Sequence, residues 1–245
     1  MKVSDLGGIP GKTVKASIPV ITAVKMRVHV NGVEINVEIE GSGPALILLH
    51  GNGEDHSIFD RAVFHLSKHF TVYLPDSRGH GRSSSVDEYH YDDMVEDMYR
   101  LIRELRIDTP VFCGYSDGGI IGLLLASRHP GLLSRLIVCG ANTDPSMLKG
   151  LFMFRCRHSK RLSSDPKIRM MLEEPHITAE DLSRIDVPTM VVAGSRDAVK
   201  LEDTEFIASS IGKSEMVILK GETHGSYIED GGKLARIVMD ACGIE

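Results

Sequence analysis

No stretch of the chain stays apolar for the ~20 residues that a bilayer crossing requires, and the longest runs, such as 120–126, end well short of it. Neither terminus carries a basic run and the net charge is −6, which withdraws support from a nucleic-acid partner. Three lysines and a short apolar piece at 18–24 sit near the N-terminus, but Pro19 interrupts that piece and no small-residue cleavage site follows. No signal peptide is therefore read there. The four cysteines (Cys113, Cys139, Cys156, Cys242) lack the spacing of a metal site, and Cys113 and Cys139 fall in apolar, strand-like runs. They read as reduced structural thiols in a cytoplasmic protein. Internal repeats and low-complexity linkers are lacking as well.

What is present suits one α/β domain: 245 residues, 42% hydrophobic and 25% charged. Two segments, 28–30 and 33–39, flank Asn31-Gly32, a strong hairpin signal. ALILLH follows Gly41-Ser42-Gly43-Pro44 and reads as a strand buried on both faces. Phe59, Val63, Leu66 and Phe70 then recur at helical spacing, as do Met94, Met98, Leu101, Ile102 and Leu105 further on. FTVYLP, VFCG, LIVCGA, TMVVAG and EMVILK supply further strands; helices are expected over about 202–211 and 231–241. Strands alternating with helices predict a mostly parallel sheet, covered on both faces and led by an antiparallel hairpin. The core is expected over 1–141 and 186–245, with 1–25 as an N-terminal extension. Residues 142–185 interrupt the rhythm and read as a small helical lid over the carboxyl ends of the strands, where open α/β sheets bind ligands.

The chemistry concentrates at Gly114-Tyr115-Ser116-Asp117-Gly118, a lone serine at a strand-to-helix corner. A serine hydroxyl attacks only when a base takes its proton, and that base needs an orienting group. Asp197 follows the strand TMVVAG and His224 follows EMVILK, so three candidates each trail a separate strand and should share one edge of the sheet. The backbone N–H of Asp117, at a helix N-terminus, and that of Asn52, in HGNG, are the candidate oxyanion donors. His50 and His80 lack a metal-binding pattern and read as loop-packing residues, and Asp76 and Arg78 as fasteners of their loop.

Together HGNG, DSRGHGRS, GYSDGG, AGSRD and GETHG resemble the α/β-hydrolase superfamily from about residue 26 onward. GYSDGGIIGLLLASRHP followed by LIVCGAN is similar to its biphenyl-hydrolase-like, or valacyclovirase-like, esterase branch. The resemblance implies the α/β-hydrolase fold, Ser116 as nucleophile, Asp197 and His224 as its partners, and Asn52 and Asp117 as oxyanion amides. It also implies a serine hydrolase of small carboxylic esters, a chemistry that requires no metal and no organic cofactor. An acidic residue at the position of Asp117 is associated in that branch with a substrate ammonium group, so aminoacyl esters enter as candidates. Glu54 and Asp55 could reinforce such a cation site. Against this, Asp117 could instead turn sideways to a backbone amide or a basic lid residue. Phe152 and Met153, in the apolar part of the lid, are further candidate substrate contacts. Residues 149–169 carry three Lys, four Arg and one Asp, a basic segment that reads as a solvated face or as an attractor of anionic substrates. Carbon–carbon bond hydrolysis and a hydrolase-like ligand-binding or signalling protein are the alternative functions.

Overall fold

A computed structural model describes residues 23–150, 153–154, 158 and 164–244. Eight strands form one sheet in the order β1-β2-β4-β3-β5-β6-β7-β8. They are β1 (Val24–Val30), β2 (Val33–Gly41), β3 (Ala45–Leu49), β4 (Thr71–Pro75), β5 (Val111–Tyr115), β6 (Arg135–Cys139), β7 (Thr189–Arg196) and β8 (Ser214–Thr223). The β1–β2 and β2–β4 pairings are antiparallel, and every pairing from β4 through β3 to β8 is parallel. Asn31 and Gly32 both take positive φ at the hairpin, as a tight turn matching strand twist demands. β1 begins at Val24, paired with Ile39, so the last two residues of the expected N-terminal extension belong to the sheet. The part of that extension up to residue 22 lies outside the described residues.

Side chains alternate between two cores with the two-residue period of a strand. Ile47 and Leu49 of β3, with Leu136 and Val138 of β6, face one core. Leu46, Leu48, Ile137 and Cys139 face the other. Helices α1 (Asp60–Leu66), α2 (Tyr91–Glu104) and α3 (Asp117–Arg128) follow the early strands, and α3 is buried over nearly its whole length. Inside the expected lid lie α4 (Pro166–Glu173) and α5 (Ala179–Ser183); after it come α6 (Leu201–Ser210), the short α7 (Ser226–Glu229) and α8 (Gly231–Cys242). α2, α3, α5 and α6 pack on the first core, α1 and α8 on the second.

The interruption at 142–185 divides in two. Leu148, Met171 and Val199 form a small cluster of their own, with Met153, Ile168 and Leu172 against it. Ile177, Leu182 and Ile185 instead join the first main core, and Ser127 of α3 donates a 2.7 Å hydrogen bond to the Asp181 carbonyl. The return segment is thus a wall of the body, because its apolar residues find a larger buried surface there than over the strand ends.

Candidate active site

Parallel strands in register end at one rim. Leu49 pairs with Gly114, Tyr115 with Cys139, Cys139 with Val192, and Arg196 with Thr223. The residues that follow β3, β5, β7 and β8 therefore share that rim, and they include Asn52, Ser116, Asp197 and His224.

Ser116 is forced into the corner by its neighbours. Its backbone sits at φ 52° and ψ −116°, a strained position for a non-glycine residue. A Cβ on Gly114 would lie 2.1 Å from the Gly118 carbonyl oxygen, and one on Gly118 would lie 2.1 Å from that of Leu49. Only glycine allows strand, helix and corner to approach so closely. The Ser116 N–H donates to the Cys139 carbonyl at 2.8 Å, while the Ser116 carbonyl accepts from Gly119 and Ile120 at 2.9 and 3.0 Å. The backbone is saturated, and the hydroxyl is left to face the rim.

The structure brings Ser116, His224 and Asp197 together. The His224 ring lies 2.7 Å from Asp197 Oδ1 through Nδ1 and 3.1 Å from Ser116 Oγ through Nε2. An ionised carboxylate can only accept, so Nδ1 carries the proton, and the Nε2 lone pair is left toward the hydroxyl. Asp197 also accepts from the amides of Gly194 (3.2 Å) and Val199 (3.0 Å). Burial disfavours its charge, but the His224 bond and charge together with those two amides prevail and hold its pKa below the usual carboxylate value. The Lys149 ammonium donates to the Asp197 carbonyl, and Leu148 and Val199 form an antiparallel bridge, so the start of the insertion is docked on the acid's loop.

Among the described residues neither the Asp117 nor the Asn52 backbone N–H has a protein acceptor. Asp117 opens α3, where the first amides of a helix are unpaired. The Asp117 carboxylate is buried: Oδ1 accepts from the Tyr91 hydroxyl and Oδ2 from Asn52 Nδ2, both at 2.9 Å. Burial raises its pKa to about 6, against the pull of Tyr91, Asn52 and His224. Glu54 Oε2 accepts from the Gly51 amide at 3.1 Å, and burial raises the Glu54 pKa to about 7. Asp55 faces away, accepting from the Ser57 amide and hydroxyl at 2.9 and 2.6 Å. Met153 packs in the insertion's small cluster, and Phe152 lies outside the described residues.

His50 and His80 fasten loops. His50 Nε2 accepts from the Ser77 amide at 3.0 Å and His80 Nε2 from the Gly53 amide at 3.1 Å. Burial lowers both pKa values, that of His80 to about 4, which keeps the accepting nitrogens unprotonated. Arg78 holds Asp97 through two bonds of 2.7 and 2.6 Å. Asp55, His56 and Asp76 offer atoms within 4.8 Å of one another. The Asp76 oxygens there already accept from Asn36, the His56 amide and ring, and the Arg82 amide.

Sequence reasoning missed Tyr91, whose phenol reaches the rim from the first turn of α2. It also missed Glu174, whose carboxylate takes the Tyr91 amide at 3.0 Å and the His90 ring at 2.6 Å. No local pattern marks either residue, since both act across long sequence separations.

The family described as "alpha/beta hydrolase fold" matches residues 44–155. The chain is 35% identical over 105 residues to the uncharacterized hydrolase YraK of Bacillus subtilis, covering 42% of this chain. That match spans only 39% of YraK's own length. Similarity to 3-oxoadipate enol-lactonase 1 of Acinetobacter baylyi is weaker, 24% identity, but runs over 84% of this chain and 92% of that one. The crystal structure of the enol-lactonase from Burkholderia xenovorans superposes with a TM-score of 0.75 at 24% identity, covering 89% of this chain and all of that one. No helix among the described residues is long and apolar enough to cross a membrane. With a sheet of this strand order, a serine corner built on glycines and these likenesses, the chain has the α/β-hydrolase fold.

Proposed function

We propose that this protein is a serine hydrolase of small carboxylic esters, cyclic esters included. One observation carries the reading: His224 lies 3.1 Å from the Ser116 hydroxyl while its other ring nitrogen is held at 2.7 Å by Asp197. In this chemistry His224 takes the proton of Ser116 as the oxygen attacks the carbonyl carbon. The negative oxygen then rests on the N–H groups of Asn52 and Asp117, each typically contributing ~3 kcal/mol of barrier reduction. His224 passes its proton to the leaving alcohol and the acyl-enzyme forms. A water molecule, activated by the same ring, then releases the acid and restores Ser116. Asp197 stays ionised throughout, which its low pKa supports, and keeps the ring in the tautomer that can accept. The enol-lactonase relative acts, by its name, on a lactone, which is a cyclic ester, and this supports ester cleavage. No step calls for a metal or an organic cofactor.

Turnover of p-nitrophenyl acetate and covalent labelling by a fluorophosphonate probe test the reading together. The wild-type protein should show both, and Ser116→Ala should lose both. Hydrolysis that survives in Ser116→Ala, or a wild-type protein that neither labels nor hydrolyses esters and γ-lactones, overturns it.

A further inference from the structure

A carboxylate directly after the nucleophile poses an electrostatic problem: its own amide would stabilise a developing oxyanion, while its side chain repels the same charge. The geometry points to a resolution: the Asp117 side chain is a positioning residue that ties the two oxyanion-donor residues to each other. This inference rests on the proposed serine chemistry and adds to it.

Asp117, at the start of α3, and Asn52, in the loop after β3, are 65 residues apart in the chain, yet a 2.9 Å bond joins Asn52 Nδ2 to Asp117 Oδ2. The second proton of Asn52 Nδ2 goes to the Lys167 carbonyl in the first turn of α4, at 3.2 Å. The other oxygen of Asp117 takes the hydroxyl of Tyr91, a fully buried side chain. Tyr91 is in turn held by Glu174, which accepts its backbone N–H at 3.0 Å. Both oxygens of Asp117 are thus engaged by neutral donors, and the residue is only 4% exposed.

That arrangement serves geometry rather than substrate charge. Asn52 stands between Gly51 and Gly53, whose peptides are held by the rings of His50 (2.8 Å to the Gly51 carbonyl) and His80 (3.1 Å from the Gly53 amide). Those bonds anchor the loop to its own side of the rim; the side-chain bond to Asp117 is what fixes the Asn52 N–H relative to the Asp117 N–H across it. An oxyanion hole works only when its donors are aimed before charge develops, so a loose peptide forfeits its share. A substrate ammonium group, by contrast, would meet a carboxylate that is almost entirely buried and already carries a donor on each oxygen.

The test measures kcat and KM for p-nitrophenyl acetate and for an α-amino ester on Asp117→Leu, Asn52→Ala and the double variant. A leucine at 117 keeps the branched shape but offers no acceptor to either Asn52 or Tyr91. Each single variant should lower kcat about tenfold or more on both esters, with KM changed less than about threefold, because the ground-state carbonyl gains little from the hole. The double variant should fall no more than about threefold below the weaker single, since the two remove one shared bond. Losses that multiply, a kcat for Asp117→Leu within twofold of wild type, or a defect confined to the α-amino ester overturn the assignment. If Asp117→Leu does not fold, Tyr91→Phe replaces it; it keeps the charge, removes one donor, and should lower kcat severalfold at constant KM. An unchanged kcat in Tyr91→Phe then overturns the assignment. Fluorophosphonate labelling of the wild-type protein separates the two claims. A labelled, active wild type with insensitive variants sinks this inference alone, whereas an unlabelled, inactive wild type removes the proposed chemistry and this inference with it.

Discussion

On the β3 side of Ser116 the rim is bolted down; on the β8 side it hangs from the edge of the sheet. Toward β3, Asp76 is fully buried and collects four hydrogen bonds from Asn36, His56 and Arg82. Arg78 and Asp97 form a buried two-point ion pair, and the rings of His50 and His80 pin the loops between them. Toward β8, no residue of the strand itself is buried. The loop carrying His224 depends on exposed or part-buried contacts such as Lys233 with Glu222 at 2.8 Å and the Ser226 hydroxyl with the Thr223 amide at 2.8 Å. The difference fits the proposed chemistry. Oxyanion donors lose their value if they move, whereas the histidine has to address the serine oxygen, a leaving group and a water in turn.

The same contrast appears in two buried carboxyl groups that share the rim. Asp197 receives two amides and a histidine and its pKa falls; Asp117 receives a phenol and a side-chain amide and its pKa rises to about 6. Charge is held firmly where a histidine must be polarised and only marginally where the carboxylate is a structural tie.

The bolted half should break hardest. Replacing Arg78 by methionine leaves Asp97, whose side chain is 1% exposed, without its cation. We expect a loss of about 3–5 kcal/mol of unfolding free energy, read from the denaturant midpoint. An unchanged midpoint would mean that the ion pair contributes nothing beyond its own desolvation.

The two rim carboxyls should respond to pH with opposite signs. The folded-state pKa of Asp117 lies above its usual value of 3.8, so its contribution is complete below 3.8 and is lost as pH rises through about 6. The shift corresponds to something on the order of 3 kcal/mol. Asp117→Asn lacks this loss, and its stability deficit against wild type should shrink between pH 4 and pH 8. The folded pKa of Asp197 is depressed, so its contribution is complete above 3.8 and is lost as pH falls below that value. The deficit of Asp197→Asn should therefore be full across pH 5–8 and close only in more acidic solution. Denaturation curves at a series of pH values would show two trends; parallel trends would erase the distinction between the carboxyls.

The smallest effect lies beneath the hanging half. The Tyr227 hydroxyl is buried without a hydrogen-bond partner among the described residues. Tyr227→Phe should raise stability by about 1 kcal/mol by removing an unsatisfied polar group. A loss of stability in that variant would show that the hydroxyl has a partner in solution.

The sheet, its two-sided burial and the hairpin were legible because they depend on signals a few residues long. ALILL and RLIVC are apolar on both faces, and Asn31-Gly32 carries the turn. The positions of Ser116, Asp197 and His224 were legible for a related reason: each directly follows a strand, and parallel strands deliver their carboxyl ends to one rim. The insertion was only half legible. Its apolar residues Ile177, Leu182 and Ile185 look from sequence like Leu148 and Met153, yet the former join the main core and the latter cluster apart.

Sequence alone determined that a serine, an acid and a histidine would meet at a sheet edge, since each follows a strand and strands joined through helices run parallel, with their carboxyl ends on one side. Tertiary structure alone decided what Asp117 does. Its partners lie 26 and 65 residues away, and which donors reach its oxygens depends on how α2 is rotated and how the loop after β3 runs. Such contacts leave no periodic trace in the chain, because a side-chain hydrogen bond needs two groups at one place and imposes no pattern on the residues between them.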